Sequence, residues 1–118
     1  MYVAVAVDAG SEARAKELAD LLAQYGLMKV QRGLWESADI SPAALTRIKR
    51  DLDKATDAFD RLRFFQFPME GTMVLTTLRD KKWRRMVARD ADAESDKSTK
   101  PAASVKTPPG KARQVKRR

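Results

Sequence analysis

The residue best placed for chemistry is Asp8, which ends the apolar run Y-V-A-V-A-V at residues 2–7. The chain has no histidine and no cysteine, which excludes imidazole bases, thiolate nucleophiles, disulfides and the usual zinc ligands. Any catalysis must therefore use carboxylates, hydroxyls, Lys, Arg or a hard cation held by oxygen. One Asp is too little for a metal site, so Asp8 needs a further ligand.

Two roles are open to Asp8 on the sequence alone. An Asp that ends a strand commonly caps the following turn, here by accepting the amide of Gly10 or Ser11. In a two-fold dimer, Asp8 and its copy could instead share a Mg²⁺ ion with waters and a phosphate oxygen. Such an ion activates water for phosphodiester hydrolysis in a chain that has no histidine base.

Basic residues form the second group that could do chemistry. Residues 1–90 carry 16 Lys/Arg and 13 Asp/Glu, whereas residues 91–118 carry 8 and 3, so the net charges are +3 and +5. A sequence pI of about 10.0 favours a polyanionic partner, because Lys and Arg displace counterions from phosphates. The candidate nucleic-acid contacts are Arg14, Lys16, Lys29, Arg32, Arg79, Lys81, Lys82, Arg84 and Arg85.

The alternative to nucleic-acid contact for Arg14 and Lys16 is that they lie on a solvated face of the helix and pair with Glu12 and Asp20. The tail segment K-A-R-Q-V-K-R-R, at residues 111–118, either holds phosphate non-specifically or docks on the acidic face of a protein partner.

Apolar periodicity predicts the elements that position these side chains. Residues 2–7 form a central strand, and Ser11 caps a helix that ends at Gly26. Residues 27–37 form either one strand bent at Gly33 or two short strands.

The second half of the domain follows the same logic. Ser41 and Pro42 begin a helix that runs to Ala55, and residues 62–67 and 72–78 form two further strands. The fold class is α+β; if residues 27–37 form two strands, the order is βαββαβ plus one strand, which is a ferredoxin-like sandwich with an extra C-terminal strand.

The remaining segments complete a picture of one domain with two extensions. Residues 1–78 form the domain, and strand 72–78 has no place in a single ferredoxin-like unit, so we expect it to complete a partner's sheet in a homodimer. Residues 79–90 place apolar side chains at i, i+3 and i+4, which predicts a short basic amphipathic helix. The composition of residues 91–118 predicts a disordered basic tail.

Five motifs, in order, resemble those of one family, the smaller of the two core CRISPR adaptation proteins. They are Y-V-A-V-A-V-D (2–8), L-L-A-Q-Y-G (21–26), V-Q-R-G-L-W-E (30–36), S-P-A-A-L (41–45) and F-F-Q-F-P (64–68). The resemblance covers residues 1–78. It departs from the family at Val7, where the family often has Tyr, and at Gly33-Leu34-Trp35, which replace the usual Ser-Val-Phe.

The resemblance implies a ferredoxin-like homodimer that scaffolds DNA between copies of the adaptation integrase during spacer acquisition. It also implies, for some members, a metal-dependent endonuclease acting on RNA or DNA, with Asp8 as catalytic residue and Mg²⁺ ligand. The alternatives are a stand-alone toxin-type metal-dependent ribonuclease of the same fold and a non-catalytic protein-binding regulator. Without a signal peptide or a membrane span, we expect a cytoplasmic protein with no membrane partner.

Overall fold

In a computed structural model that describes residues 1–90, one six-stranded sheet carries two helices. The elements are β1 (Tyr2–Asp8), α1 (Glu12–Gln24), β2 (Met28–Gln31), β3 (Leu34–Ser37), α2 (Pro42–Ala55), β4 (Arg61–Met69), β5 (Thr72–Arg79) and β6 (Lys82–Arg89). The predicted tail at residues 91–118 lies outside the described residues.

The sheet confirms the ferredoxin-like prediction. Its strand order is β2-β3-β1-β4-β5-β6, and every neighbouring pair is antiparallel. The first four strands, taken as β2-β3-β1-β4, have the ferredoxin-like arrangement. Residues 27–37 form two strands rather than one, because Gly33 turns the chain with a φ of +72°.

The two helices begin and end as the sequence predicts. The Ser11 hydroxyl accepts the Arg14 amide at 3.1 Å, and the Ser41 hydroxyl accepts the Ala44 amide at 3.0 Å. Each serine thereby satisfies an amide that has no partner inside its helix. The first helix ends before Gly26, whose φ of +87° is unfavourable for a residue with a side chain.

Both helices cover the same face of the sheet. Val5 pairs with Phe64 across β1 and β4, and Leu62 pairs with Leu78 across β4 and β5. Because directly paired residues share a face, these side chains form one apolar layer against the helices. The helices contribute Leu18, Leu22, Leu45, Ile48 and Leu52 to this buried cluster.

The opposite face, which we call the open face, has no helix over it within residues 1–90. It carries the even-numbered residues of β1, β3 and β6, the odd-numbered residues of β4 up to Phe67, and those of β5. Even-numbered positions of some strands and odd-numbered positions of others therefore share the open face. The sequence shows the alternation within each strand but not which positions of different strands lie on the same face.

Strand β5 differs from its prediction. It pairs with β4 of its own chain from Leu62↔Leu78 to Met69↔Thr72, instead of completing a partner's sheet. The strand before it also runs past Pro68 to Met69, with a register shift between Gln66 and Met69. That shift accommodates a residue that has no amide to donate.

The segment 79–90 is a hairpin strand, not the predicted amphipathic helix. Asp80 and Lys81 have φ values of 55° and 61°, which is the two-residue turn that suits tight hairpins. Trp83 and Val87 then face the helix side of the sheet, whereas Met86 lies on the open face. The helical spacing of these three residues misleads because pairing with β5 imposes a period of two.

Candidate nucleic-acid interface

Asp8 is the last residue of β1 and its side chain is exposed on the open face. Its cross-strand partner is Arg61 of β4, so the two residues occupy opposite positions on the same face at the end of the sheet. Within residues 1–90, no side-chain hydrogen bond or ion pair engages the Asp8 carboxylate. Its oxygens are therefore free to bind a ligand.

The turn after β1 is held by Asp60, not by Asp8. The Gly10 amide donates to Asp60 Oδ1 at 2.7 Å, and the Asp57 amide donates to Asp60 Oδ2 at 2.9 Å. Burial alone would raise the pKa of Asp60, but the two amides and the nearby Arg14 outweigh it and bring that pKa below its usual value. The capping role weighed for Asp8 thus belongs to a residue 50 positions away, which local sequence patterns do not reveal.

Arg14 was expected to contact nucleic acid, but its guanidinium is engaged inside the chain. It lies 3.2 Å from Asp60, 2.9 Å from Glu17 and 3.4 Å from Asp57, and it also donates to the Ala55 carbonyl. These contacts join α1 to the loop between α2 and β4. A residue with this many partners is a structural clamp.

Lys81 is engaged in a similar way. Its Nζ donates to the Asp53 carbonyl at 2.5 Å and to the Thr56 carbonyl at 3.2 Å, where α2 ends. A cation there satisfies carbonyls that lack a helical partner. Trp83 donates its Nε1 proton to Asp53 Oδ1 at 3.0 Å, and its ring centroid lies 6.0 Å from that of Phe64. This tryptophan therefore packs within the domain.

Basic side chains concentrate at one end of the open face, around Asp8. We call this cluster the basic end; its members are Arg61, Arg63, Arg79, Lys82 and Arg84, all exposed. Thr77 pairs with both Arg63 and Arg84, and Arg79 pairs with Lys82. None of the five forms an ion pair within residues 1–90.

The other predicted cations lie in four places. Arg32 is in the β2–β3 turn, and the neighbouring Gly33 carbonyl accepts the Val7 amide at 2.7 Å, so Arg32 lies at the same end of the sheet as Asp8. Lys16 is exposed on α1 and Lys29 is exposed on β2. Arg85 lies on the helix-covered face of β6 because it pairs with Thr76. Sequence reasoning missed Arg61 and Arg63, whose alternation with Leu62 and Phe64 is the signal that could have found them.

An apolar part fills the rest of the open face. Ala4, Phe65, Leu75 and Met86 lie in one row across four strands. Met86 is 55% exposed and Phe67 44%. A cleft of about 530 Å³ opens between Phe67, Met73 and Ala88, at the end of the sheet opposite the basic end. An uncovered apolar surface of this kind is typical of an interface with another macromolecule.

A comparison with protein-family models matches residues 1–86 to the family described as CRISPR associated protein Cas2. The chain belongs to the Cas2 family. No curated protein and no solved structure is significantly similar to it. Membership supports a role in CRISPR adaptation, and it confirms the resemblance seen in the five sequence motifs.

The single Cas2-family chain does not by itself fit a complete metal site. No cluster of three or more His, Cys, Asp or Glu ligands occurs within residues 1–90. Asp8 supplies one free carboxylate, which is the ligand type that Mg²⁺ prefers, but a second ligand has to come from elsewhere. In this same part of the chain, no helix is long and apolar enough to cross a membrane.

Proposed function

We propose that this Cas2-family chain works as a homodimeric scaffold that binds nucleic acid without sequence specificity during spacer acquisition. The observation that carries the proposal is the division of the open face into an apolar part and a basic end. The apolar part suits a second protein surface, and the basic end suits phosphates. An adaptation integrase subunit, which the family resemblance implies, is the expected protein partner of the dimer.

A second copy is the proposed occupant of the apolar part. All six strands already pair within the chain, so a dimer needs no exchange of strands and can form by packing two open faces together. In a two-fold interface the same patch is used on both copies. Each copy then contributes its own basic end to one assembly, which doubles the positive potential offered to a polyanion.

The chemistry of the basic end favours backbone recognition. Arg and Lys contacts to phosphates fix the position of a duplex but carry no sequence information. The exposed aromatic rings of the open face, Tyr2 and Phe67, lie at the opposite end of β1 and β4. Near Asp8 the exposed ring is Phe59, which is 81% exposed beside Gly10, and stacking of a base on it is sequence-tolerant.

Duplex DNA binding measured across a range of salt concentrations tests this proposal. The logarithm of the affinity should fall by about 0.9 per phosphate contact for each unit of log salt. The double variant Arg63→Gln/Arg84→Gln should bind more weakly and with a shallower salt slope than wild type. The double control Arg47→Gln/Arg50→Gln removes the same two positive charges from the exposed side of α2, and an Arg63→Gln/Arg84→Gln variant that matched it would contradict the proposal.

A metal-dependent endonuclease activity centred on Asp8 is the second proposed function. The observation in its favour is that Asp60, and not Asp8, caps the turn, which leaves the Asp8 carboxylate free. Asp8 and its copy in a dimer would hold Mg²⁺, which when bound polarises a phosphodiester and lowers the pKa of water. The RNA or DNA substrate would be oriented by Arg61 and the rest of the basic end.

The nuclease proposal is tested with Asp8→Asn and Asp8→Ala in the presence of Mg²⁺ or a chelator. Cleavage should be lost in both variants and with chelator, while duplex binding and the dimer persist. Cleavage that survived in either variant would assign the activity to another site or to a contaminant.

A further inference from the structure

A second group of cations lies on the helix-covered side of the sheet, away from the basic end. The side chain of Lys49 extends from α2 towards the sheet, where its Nζ lies 2.8 Å from Gln66 Oε1 and 3.4 Å from Thr76 Oγ1. It also sits 5.6 Å from the centre of the Phe64 ring. The side chain is half-buried at the junction between helix and sheet.

Arg85 is the second cation of this group. It pairs with Thr76 across β5 and β6, so its side chain starts beside the hydroxyl that Lys49 approaches. Burial first, and then the charge of Arg85, lower the pKa of Lys49. The Lys49 ammonium is thus partly dehydrated and has the positive charge of the exposed Arg85 nearby, which costs free energy in the isolated chain.

Within residues 1–90, neither cation has an acidic partner. No ion pair involves Lys49 or Arg85. Asp53 lies one helical turn after Lys49, but its carboxylate already accepts from Trp83 and Lys81. Arg14, by contrast, faces three carboxylates. The positive charges of Lys49 and Arg85 are therefore not neutralised in the way that the charge of the structural residue Arg14 is.

The donor inventory leaves room for an anion. A lysine ammonium has three protons, and Lys49 directs two of them to Gln66 and Thr76. An arginine has five, and Arg85 donates none of them within the described part of the chain. One ammonium proton and a whole guanidinium are therefore available to the oxygens of a single phosphate.

The position of β6 indicates what kind of molecule brings that phosphate. It is the edge strand of the sheet, and its consecutive residues Arg84 and Arg85 lie on opposite faces, since they pair with Thr77 and Thr76. A polyanion that leaves the basic end at Arg84 and crosses this edge meets Arg85 and Lys49 directly. A chain of phosphates can do this, whereas an isolated anion reaches one face only.

We propose that Lys49 and Arg85 form a second phosphate-binding site, which holds the backbone of a nucleic acid where it passes over the β6 edge. The proposal rests on the nucleic-acid-binding function proposed above and extends the contact surface beyond the open face. Arg85 acts as the exposed arm of the site, and Lys49 is its fixed base, positioned by Gln66 and Thr76.

The test uses the full chain and a labelled DNA duplex, with affinity measured over a range of salt. Arg85→Gln and Lys49→Gln should each weaken binding several-fold and make the salt slope shallower by about one. Arg47→Gln is the matched control, because it removes one positive charge from α2 near Tyr25 and should bind like wild type. Thermal unfolding checks that Lys49→Gln remains folded; Arg85→Gln loses no described contact and serves as the second variant.

The outcomes separate this site from the general function. Absence of binding by wild type would overturn the proposed function itself. Wild-type binding with an Arg85→Gln salt slope equal to that of Arg47→Gln would overturn the second site alone. Weaker capture of an integrase subunit by Arg85→Gln, with DNA binding unchanged, would also overturn it and assign the pair to a protein carboxylate.

A spectroscopic readout distinguishes a phosphate contact from a merely structural role. The NMR signals of the Lys49 side chain should titrate at higher pH when the duplex is bound, because a phosphate favours the charged ammonium. An unchanged titration in the saturated complex would count against the site.

Discussion

Asp60 Oδ1 accepts a hydrogen bond from the Gly10 amide at 2.7 Å, so the turn after β1 is anchored by the carboxylate of the residue just before β4. The loop that carries Asp60 also packs closely against Gly10, because a Cβ added at Gly10 would lie only 2.7 Å from Cβ of Phe59. The two segments therefore fit together without space for a side chain. The end of β1, and Asp8 with it, owes its place to this long-range contact.

Asp60→Asn should lower the free energy of unfolding by about 2–4 kcal/mol, because it weakens two amide contacts and leaves Arg14 without its buried partner. Asp8→Asn makes the identical chemical change at an exposed carboxylate with no described contact, and should shift stability by less than about 0.5 kcal/mol. Urea denaturation compares the two. Equal losses would mean that Asp60 does not anchor the turn.

The same carboxyl makes stability depend on acid. The pKa of Asp60 is lower in the folded chain than in the unfolded chain, so its charge stabilises the fold fully above about pH 4. This contribution is lost as the pH falls through the folded-state value. The loss below pH 4 should therefore be smaller in Asp60→Asn than in wild type, as measured by urea midpoints across pH.

Gly33→Ala should destabilise the chain by about 3 kcal/mol. Its φ is +72°, and a new Cβ would lie 2.8 Å from the carbonyl oxygen of Val7, a backbone atom that cannot move aside cheaply. Gly26→Ala is the control: its φ is +87° but nothing lies within 4 Å, so only the backbone cost of about 1 kcal/mol remains. Similar losses in the two variants would show that the β2–β3 turn tolerates displacement from β1.

Met86→Glu should dissociate the proposed dimer without unfolding the chain. Met86 lies on the open face and is 55% exposed, whereas the next residue, Val87, lies on the other face and is 40% exposed. A charge at position 86 would be buried between two copies without a partner, and Val87→Glu would stay in water. Light scattering after size-exclusion chromatography reads the mass of each variant. A dimeric Met86→Glu protein would place the interface elsewhere.

Arg85→Gln should raise the pKa of Lys49, because it removes the second cause of the present lowering and leaves only burial. The sign for stability follows from that lowering. Unfolding takes up protons in the interval between the folded-state pKa of Lys49 and about 10.5, so stability increases with pH across it. The increase should be smaller in Arg85→Gln. NMR titration of the Lys49 side chain, compared with Arg47→Gln, measures the shift.

Local sequence signals were sufficient for most of the elements. The apolar run that ends at Asp8 indicates β1, the caps Ser11 and Ser41 mark the starts of both helices, and Gly26 marks an end. These signals work because each depends on a few neighbouring residues: a hydroxyl for an orphan amide, or a glycine for a positive φ. The ferredoxin-like order followed from those elements, and the five family motifs agreed with it.

Tertiary structure alone decided which side chains meet. The 79–90 segment carries a helical spacing, yet pairing with β5 makes it a strand and sends Arg84 and Arg85 to opposite faces. A register one residue different would exchange those faces, so no local pattern could settle the composition of the basic end.

For the site itself, the sequence determined that Asp8 ends a central strand and that cations are abundant around it. Only the folded chain showed that Asp60, rather than Asp8, caps the turn after β1. It also showed that Arg14 and Lys81 have structural contacts and that Arg61 and Arg63 lie on the open face. The physical reason is that charges are assigned by proximity in space. Partners 40 or 50 residues apart become neighbours only when strands and helices have packed.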